Sequence, residues 1–246
     1  MKLLLLADKE VGLNVLKFLV RFYPQDVGLV VTTEKNEIYE TAKSFDIAVQ
    51  VFDETNIVNT CKNKYFIFDL GLLAWWPRIV RNSLIEIPKK GFINFHPSLL
   101  PYNRGKHYNF WAIVEGCPFG VTLHFVDAGV DTGDIVAQRS ISYDWTDTGE
   151  SLYFKAQKEI LDLFYLTYPK IRSLDIVRKP QKKSEGSYHH SSEIEQASKI
   201  DLNKLYRARD LLNILRARTF NGHPACWFQD EKEIYEVRVQ IIRGRK

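Results

Sequence analysis

Short runs that are apolar at nearly every position, separated by segments of helical spacing, constrain this chain more than any other feature. Residues 2–7 read KLLLLA and residues 27–32 read VGLVVT. A strand with one wet face alternates apolar and polar residues. A run that is apolar throughout must be covered on both faces, as in a parallel sheet flanked by helices. Between these runs, residues 11–22 carry apolar side chains at helical spacing. Residues 34–45 read as a second helix, 47–51 as a short strand and 65–70 as another buried strand. This alternation predicts an α/β fold with a mostly parallel sheet.

The pattern continues along the chain. Residues 91–95 form a strand that runs into His96 and Pro97, and Pro97, Pro101 and Gly105 favour an irregular loop after it. A short helix is expected over 108–115, closed by Gly116, then a strand over 120–126. A loop rich in Asp and Gly covers 127–134, and a strand covers 135–141. Residues 148–168 make a long amphipathic helix, with Leu152, Ala156, Ile160, Leu163 and Leu166 three or four apart and Asp147 or Thr148 as cap. Composition changes near residue 178. Residues 180–192 are polar and include Gly186 and His189-His190, as in a linker or a lid-like hairpin. A helix over 202–215 and a β-hairpin built on 233–242, with its turn at 229–232, complete a smaller unit. The expected division is therefore a main domain at 1–178 and a C-terminal region at 179–246.

Several function classes are disfavoured. The first strand is not followed by G-x-G-x-x-G, and there is no phosphate-loop signature. The N-terminal apolar run gives way at once to Asp8, Lys9 and Glu10, too short for a signal peptide or a membrane span. No membrane insertion is expected. The formal charge of +4 is concentrated partly in Arg178, Lys179, Lys182 and Lys183, and in Arg243, Arg245 and Lys246. No nucleic-acid reading module accompanies them, so a solvated or anion-binding role is expected and nucleic acid is not. Cys61, Cys117 and Cys226 are odd in number and widely spaced, which fits a reducing, cytoplasmic setting and neither a disulfide framework nor a metal cluster.

Candidate chemistry lies in two stretches. In Ile93-Asn94-Phe95-His96-Pro97, Asn94 and His96 are two apart, so both face one side of a strand at its C-terminal edge. Open α/β sheets bind their ligands at that edge. An amide and an imidazole side by side suit a developing oxyanion, one donating to it and the other stabilising it or moving a proton. In the second stretch, Gly129 and Gly133 permit bends that bring Asp131 back toward His96, where a carboxylate would orient and charge-pair the ring. Each feature has a plainer reading: a loop asparagine, a histidine that satisfies local backbone, or an acidic turn that is structural or a weak cation site. Ser98 lacks the glycine-flanked elbow of a nucleophile. The residues alone support acyl-type transfer.

At these same residues the chain resembles a known family. INFHPSLLPYNRG from Ile93, followed by GVTLHFVDAGVDTG ending at Gly133, is similar to the folate-dependent formyltransferases, and the likeness extends over roughly residues 1–170. The resemblance implies a Rossmann-like formyltransferase domain with a small C-terminal helix and β-hairpin unit. Asn94, His96 and Asp131 match the family's catalytic residues, and the donor would be N10-formyltetrahydrofolate, with no metal. Leu72, Leu73, Ala74 and Trp75, in a loop expected to follow the strand ending at Leu70, would hold the donor with Val126, Asp127 and Gly129.

The chain reads Arg104-Gly105-Lys106 where methionyl-tRNA formyltransferases usually read R-G-A-A-P, and its tail is short for their C-terminal barrel. The tail from Leu211 through Phe228 is similar to that of sugar N-formyltransferases, most of all the dTDP-4-amino-4,6-dideoxyglucose type. The acceptor implied is a nucleotide-linked amino sugar. Lys9, Arg104, Lys106 and Arg218 would meet its phosphates, Tyr188 and Trp227 its base, and Tyr102 and Asn103 the sugar near His96. A homodimer and a place in surface polysaccharide synthesis, including O-antigen and lipopolysaccharide, are further implications. Another acceptor (UDP-amino-arabinose, a dTDP-3-amino sugar or a purine precursor) and a non-catalytic Rossmann-like binding protein are the alternatives.

Overall fold

The structure is a computed structural model of the 246-residue chain and describes residues 1–63 and 66–244. Tyr65, at the start of an expected strand, and Arg245 and Lys246 of the terminal basic run lie outside the described residues. Packing groups the chain into two compact units. The first comprises Met1–His96, Leu123–Ala137 and Ile160–Pro180, the second Pro97–Thr122, Gln138–Glu159 and Gln181–Lys246.

The first unit alternates strands and helices from its N-terminus: β1 (Leu3–Ala7), α1 (Lys9–Phe22), β2 (Val27–Thr32), α2 (Glu37–Ser44), β3 (Val49–Val51), α3 (Glu54–Asn63), β4 (Leu70–Ala74), α4 (Asn82–Ile85) and β5 (Phe92–His96). Pairing of β1 with β2 and β4, of β2 with β3, and of β4 with β5 is parallel in every case. All five β1 residues have no exposed area, as double-sided cover requires. Leu4, Leu6, Leu29, Val31, Phe68 and Phe92 form part of one apolar cluster on this sheet. Gly71 makes room within it, because a Cβ there would lie 2.2 Å from the Phe92 ring. Asn36 caps α2 by accepting the Ile38 and Tyr39 amides, which explains why the helix starts later than residue 34.

The strand expected over 65–70 is displaced. β4 starts at Leu70 because Leu70–Ala74 is the segment that pairs with both β1 and β5, and all five of its residues are buried. Asp69 stays outside the strand, where its amide bonds Lys2 O and its carboxylate accepts the Lys2 amide. Helices α3 and α4 were not anticipated. α3 has a weak apolar stripe, and α4 is a single turn.

Farther along come β6 (Arg104–Gly105), α5 (Tyr108–Glu115), β7 (Gly120–Phe125), β8 (Ile135–Ser140) and α6 (Gly149–Arg172). The seven-stranded sheet has the order β3-β2-β1-β4-β5-β7-β8, so its topology reverses between β1 and β4. β7 and β8 each continue along the chain from one unit into the other. Within the first unit, α6 buries Ile160, Phe164, Tyr168 and Ile171 completely. The helix runs beyond its expected end through Pro169 to Arg172. Its last turns are tied down by Asp26, a buried carboxylate that accepts from Tyr168 Oη and Arg172 Nε, both at 2.7 Å.

The second unit contains β9 (Tyr188–His189), α7 (Glu193–Ala197), α8 (Ala208–Arg218), β10 (Cys226–Asp230) and β11 (Glu233–Val237), with a turn of 3-10 helix at Lys183–Glu185. α5 ends as expected at Gly116, whose φ of 64° needs a residue without Cβ strain. Arg216 of α8 is buried and donates to the Asp144 and Asp147 carbonyls. The helix expected over 202–215 begins only at Ala208. Asp201 takes the Asn203 amide and the Lys204 amide closes a turn on Asp201 O, so residues 201–204 bend, and Leu205 is 97% exposed. β10 and β11 form the expected hairpin, but its second strand stops at Val237, opposite the first residue of β10, rather than at 242, and the turn shortens to Glu231-Lys232, with Glu231 at φ 50°, because Gln229 and Asp230 pair with Ile234 and Glu233.

Tyr168→Phe keeps the packed ring and removes one hydrogen bond to a buried charge. It is expected to destabilise the protein by about 1.5–3 kcal/mol in urea unfolding. A loss below roughly 0.5 kcal/mol would mean the Asp26 clamp contributes little.

Candidate active site

Three polar side chains enter one side of the first unit from neighbouring strands. Asn94 and His96 alternate with Phe95 on β5, so they share a face while Phe95 packs against Phe164 of α6. β7 adjoins β5 in the sheet, and its penultimate residue, His124, reaches the same place. Asp131 comes from the loop after β7, in a left-handed backbone conformation at φ 53° that aspartate tolerates better than most residues. Gly133 lets this loop close. A Cβ there would stand 1.9 Å from the Phe125 carbonyl oxygen.

Asp131 is the hub of the cluster. Its Oδ1 lies 3.3 Å from Asn94 Nδ2, 3.4 Å from His96 Nδ1 and 3.5 Å from His124 Nε2. His96 and His124 are 4% and 2% exposed. His124 Nδ1 is 2.8 Å from the Phe125 carbonyl, which can only accept, so that nitrogen carries the proton. Its Nε2 is then left as an acceptor for Asn94 Nδ2 at 3.2 Å. The two hydrogens of the Asn94 amide thus point at His124 and Asp131. His124 was missed in the sequence reading. The available signal was one ionisable residue at the end of an otherwise apolar or hydroxyl-bearing strand.

His96, His124 and Asp131 each offer a ligand atom, all within 4.8 Å of one another, a donor set of two imidazoles and a carboxylate that suits a divalent cation. Asn94 bears on that reading, since its amide hydrogens are directed at the His124 and Asp131 atoms such an ion would need.

The other expected site residues fall into two groups. In the first unit, Leu72, Leu73 and Ala74 lie within β4 rather than in a loop, with their side chains buried. The loop starts at Trp75, half-buried and at φ 59°. Next to it Trp76 packs edge-on to Phe52 at 5.1 Å, and its buried Nε1 has no hydrogen-bond partner among the described residues. Val126 donates its amide to Phe92 O. Asp127 accepts from the Gly129 amide and from Thr132 Oγ1, which fixes the turn leading to Asp131. Lys9 follows β1, exposed and at φ 52°.

In the second unit, β6 pairs with β9 in parallel, setting Arg104 against Tyr188 and Gly105 against His189. Tyr102 is half-buried, Lys106 is exposed and Tyr188 is 46% exposed. Asn103, expected at the sugar, is fully buried instead. Its Nδ2 donates to Cys117 Sγ and its Oδ1 accepts from Ser187 Oγ, so the carboxamide joins two segments of protein. Arg218 lies at the end of α8 with Nη2 3.5 Å from Glu195. Burial first, and the Arg218 charge second, hold the His107 pKa below the ordinary histidine value. Trp227 sits in β10, its backbone bonded to Ser198 and Ile200 and its ring beneath Lys199 Nζ at 5.1 Å.

Comparison with known proteins identifies the family. The formyl transferase profile matches residues 21–165, and the profile of the N-formyltransferase dimerization C-terminal domain matches residues 193–243. A methionyl-tRNA formyltransferase from Thermodesulfovibrio yellowstonii is 30% identical over 72% of this chain, and a dTDP-4-amino-4,6-dideoxyglucose formyltransferase from Mycobacterium tuberculosis is 32% identical over 56% of it. The matches span 56% and 58% of those two relatives. Among solved structures, a 4-N formyltransferase from Francisella tularensis superposes with a TM-score of 0.79 at 24% identity, covering 98% of each chain. A sugar N-formyltransferase from Shewanella gives 0.81 at 19% identity, covering 100% of this chain and 99% of that one. At such identities these two likenesses concern the fold. With one profile matching the greater part of the sequence and a second matching its tail, the chain belongs to the formyl transferase family.

Proposed function

We propose that this protein transfers the formyl group of N10-formyltetrahydrofolate to the amine of a nucleotide-linked amino sugar, with dTDP-4-amino-4,6-dideoxy-D-glucose as the favoured acceptor. The observation that carries the chemistry is the convergence of Asn94, His96 and His124 on one carboxylate oxygen of Asp131. As the amine adds to the formyl carbon, negative charge develops on the formyl oxygen. Asn94 turns an amide hydrogen toward it, and His96 stabilises it and takes part in moving the amine proton. Asp131 orients His96 and balances its positive charge. The oxyanion pair then re-forms the carbonyl, the C–N10 bond breaks, and N10 takes up the proton given up by the amine as tetrahydrofolate leaves. His124 holds the Asn94 amide in the required plane. We assign no metal to this cluster, because the Asn94 amide is directed at the very lone pairs an ion would use.

For the donor, we assign the end of β4 with Trp75, together with Val126, Asp127 and Gly129. Leu72, Leu73 and Ala74, with buried side chains and backbones paired within the sheet, act there as the support from which the Trp75 loop departs. For the acceptor, we assign Lys9, Tyr102, Arg104, Lys106, Tyr188, Arg218 and Trp227. Asn103 acts there only through the loop it anchors. We assign residues 1–178 as the catalytic domain, with 179–246 adding substrate or dimer contacts. The sugar reading is supported by the relative named for dTDP-4-amino-4,6-dideoxyglucose and by the tail profile. A homodimer is supported by that same profile and by the exposed Ile234 and Tyr235 on β11. Among the described residues no helix is long and apolar enough to cross a membrane. The cytoplasmic assignment rests on the free Cys61, Cys117 and Cys226, which fit a reducing setting.

Incubation with N10-formyltetrahydrofolate and a panel of nucleotide-linked amino sugars should yield a formylated dTDP-4-amino sugar by mass spectrometry. Formylation of initiator methionyl-tRNA or a purine precursor with no sugar product would overturn the sugar assignment. Asn94→Ala and His96→Ala are expected to lower kcat by about 10²–10⁴-fold while donor affinity changes little. Turnover within threefold of the parent enzyme, on the order of 0.6 kcal/mol, would remove them from the mechanism. In sedimentation the chain should run at about twice 28.7 kDa, and Ile234→Asp should return it to monomer. A parent protein that sediments as a monomer contradicts the dimer assignment.

A further inference from the structure

The polar stretch after residue 178 is built into the second unit by one histidine. His189 is 8% exposed and lies flat on Trp111 of α5, with the rings 3.8 Å apart and 8° from parallel. Its Nε2 is 2.7 Å from Glu115 Oε1 and its Nδ1 is 3.1 Å from Glu193 Oε2. An ionised carboxylate only accepts hydrogen bonds, so each ring nitrogen faces an acceptor. The partners are themselves held. Glu115 Oε2 accepts from Ser187 Oγ, and Glu193 Oε1 accepts the His190 amide. The His190 amide first, and the His189 ring second, hold the Glu193 carboxyl below its ordinary pKa.

The same segment fixes the 103–106 loop. The Arg104 amide donates to Ser187 O and the Lys106 amide to His189 O, both at 3.1 Å. Arg104 Nε also points at Ser187 O, at 3.4 Å. Gly105, at φ 92°, admits the strand so closely that a Cβ would meet His189 O at 2.3 Å. The charged groups around the ring are Glu115 from α5, Glu193 and His190 at the start of α7, and Arg104 and Lys106 from the paired loop.

We propose that His189, held as an imidazolium between Glu115 and Glu193, is a positioning residue that clasps residues 187–189 onto the 103–106 loop and so sets Arg104 and Lys106 for the acceptor phosphates. The role in acceptor binding rests on the function assigned above; the clasp itself does not. Opening it would free two backbone amides and the Arg104 side chain together, and the nucleotide-linked acceptor would meet a disordered pair of cations. The folate donor and the Asn94, His96 and Asp131 cluster make no use of the clasp.

The test uses the full chain with ¹⁵N-labelled histidine at pH 7.0. Both His189 ring nitrogens, assigned by their disappearance in His189→Gln, are expected to bear protons. A ring nitrogen without one overturns the proposal. In His189→Gln the Arg104 and Lys106 amides should exchange with deuterium at least about tenfold faster than in the parent, and unchanged exchange overturns it. Should that variant not fold, Glu193→Gln, altered at a side chain 45% exposed, provides the second reading. With one carboxylate gone the ring is expected to lose one proton and the Lys106 amide to exchange faster, and no change in either overturns the clasp. These arms contain no substrate, so they succeed or fail independently of the assigned reaction. With the dTDP-linked acceptor, His189→Gln should raise acceptor KM by about tenfold and leave kcat and donor KM within about threefold. A fall in kcat at constant acceptor KM overturns the positioning role.

Discussion

A sheet covered on both faces has no place for an unpaired polar side chain within its strands, and the active site follows from that constraint. A buried polar group without a partner costs about 1–3 kcal/mol. β1 and β4 meet the condition by carrying no polar side chain. β5 and β7 carry polar side chains, and those in the C-terminal halves of the two strands, Asn94, His96 and His124, come within reach of one another. Among these three groups the Asn94 amide finds one acceptor, His124 Nε2, which leaves its second hydrogen without one. The Asp131 carboxylate, brought in by a loop, supplies the missing acceptor. The fold therefore has its own need of this carboxylate, apart from the role proposed for it in the chemistry.

Placing it requires local backbone strain. Asp131 itself stands at φ 53°, in a region that costs most residues of order 1–2 kcal/mol. The Asp127 turn and the close approach of Gly133 to Phe125 hold it there. Lys9 and Trp75, the residues just beyond β1 and β4 where the strand order reverses, are also left-handed. Open α/β sheets bind ligands at that reversal. Some of the chain's left-handed backbone thus lies at the sheet edge that carries the polar cluster, where side-chain placement is favoured over local comfort.

Much of this was legible because it depends on periodicity. Alternation alone put Asn94 and His96 on one face, and loop glycines alone gave Asp131 a path to them. What sequence could not supply was the choice between two registers of apolar residues. Residues 65–70 and 70–74 are both apolar enough for a strand, and only pairing on both sides with β1 and β5 selects the second. That shift moved Leu72, Leu73 and Ala74 from an expected loop into the core. His124 was obscured for a related reason, since its importance comes from a partner thirty residues away. Asn103 shows the converse. A polar residue beside a catalytic motif invites a ligand role, yet Cys117 and Ser187, distant in sequence, take its carboxamide.

The hydrogen-bond arrangement in the cluster also bears on how it can act. The amide of Asn94 has two hydrogens, and both are engaged before any ligand arrives, one by His124 and one by Asp131. An oxyanion can be served only if one bond is given up. The bond to His124 is the shorter, and that ring is fixed by its own bond to the Phe125 carbonyl, so it has little freedom to follow. Asp131 is different, because a positive charge on His96 would draw its carboxylate away from the amide. In the proposed transfer, charging His96 would loosen Asn94 from Asp131, so that the amide is available at the stage when negative charge develops on the formyl oxygen. A donor committed in the resting cluster and freed by proton movement favours the transition state over the ground state, which is the condition for raising kcat rather than merely tightening binding.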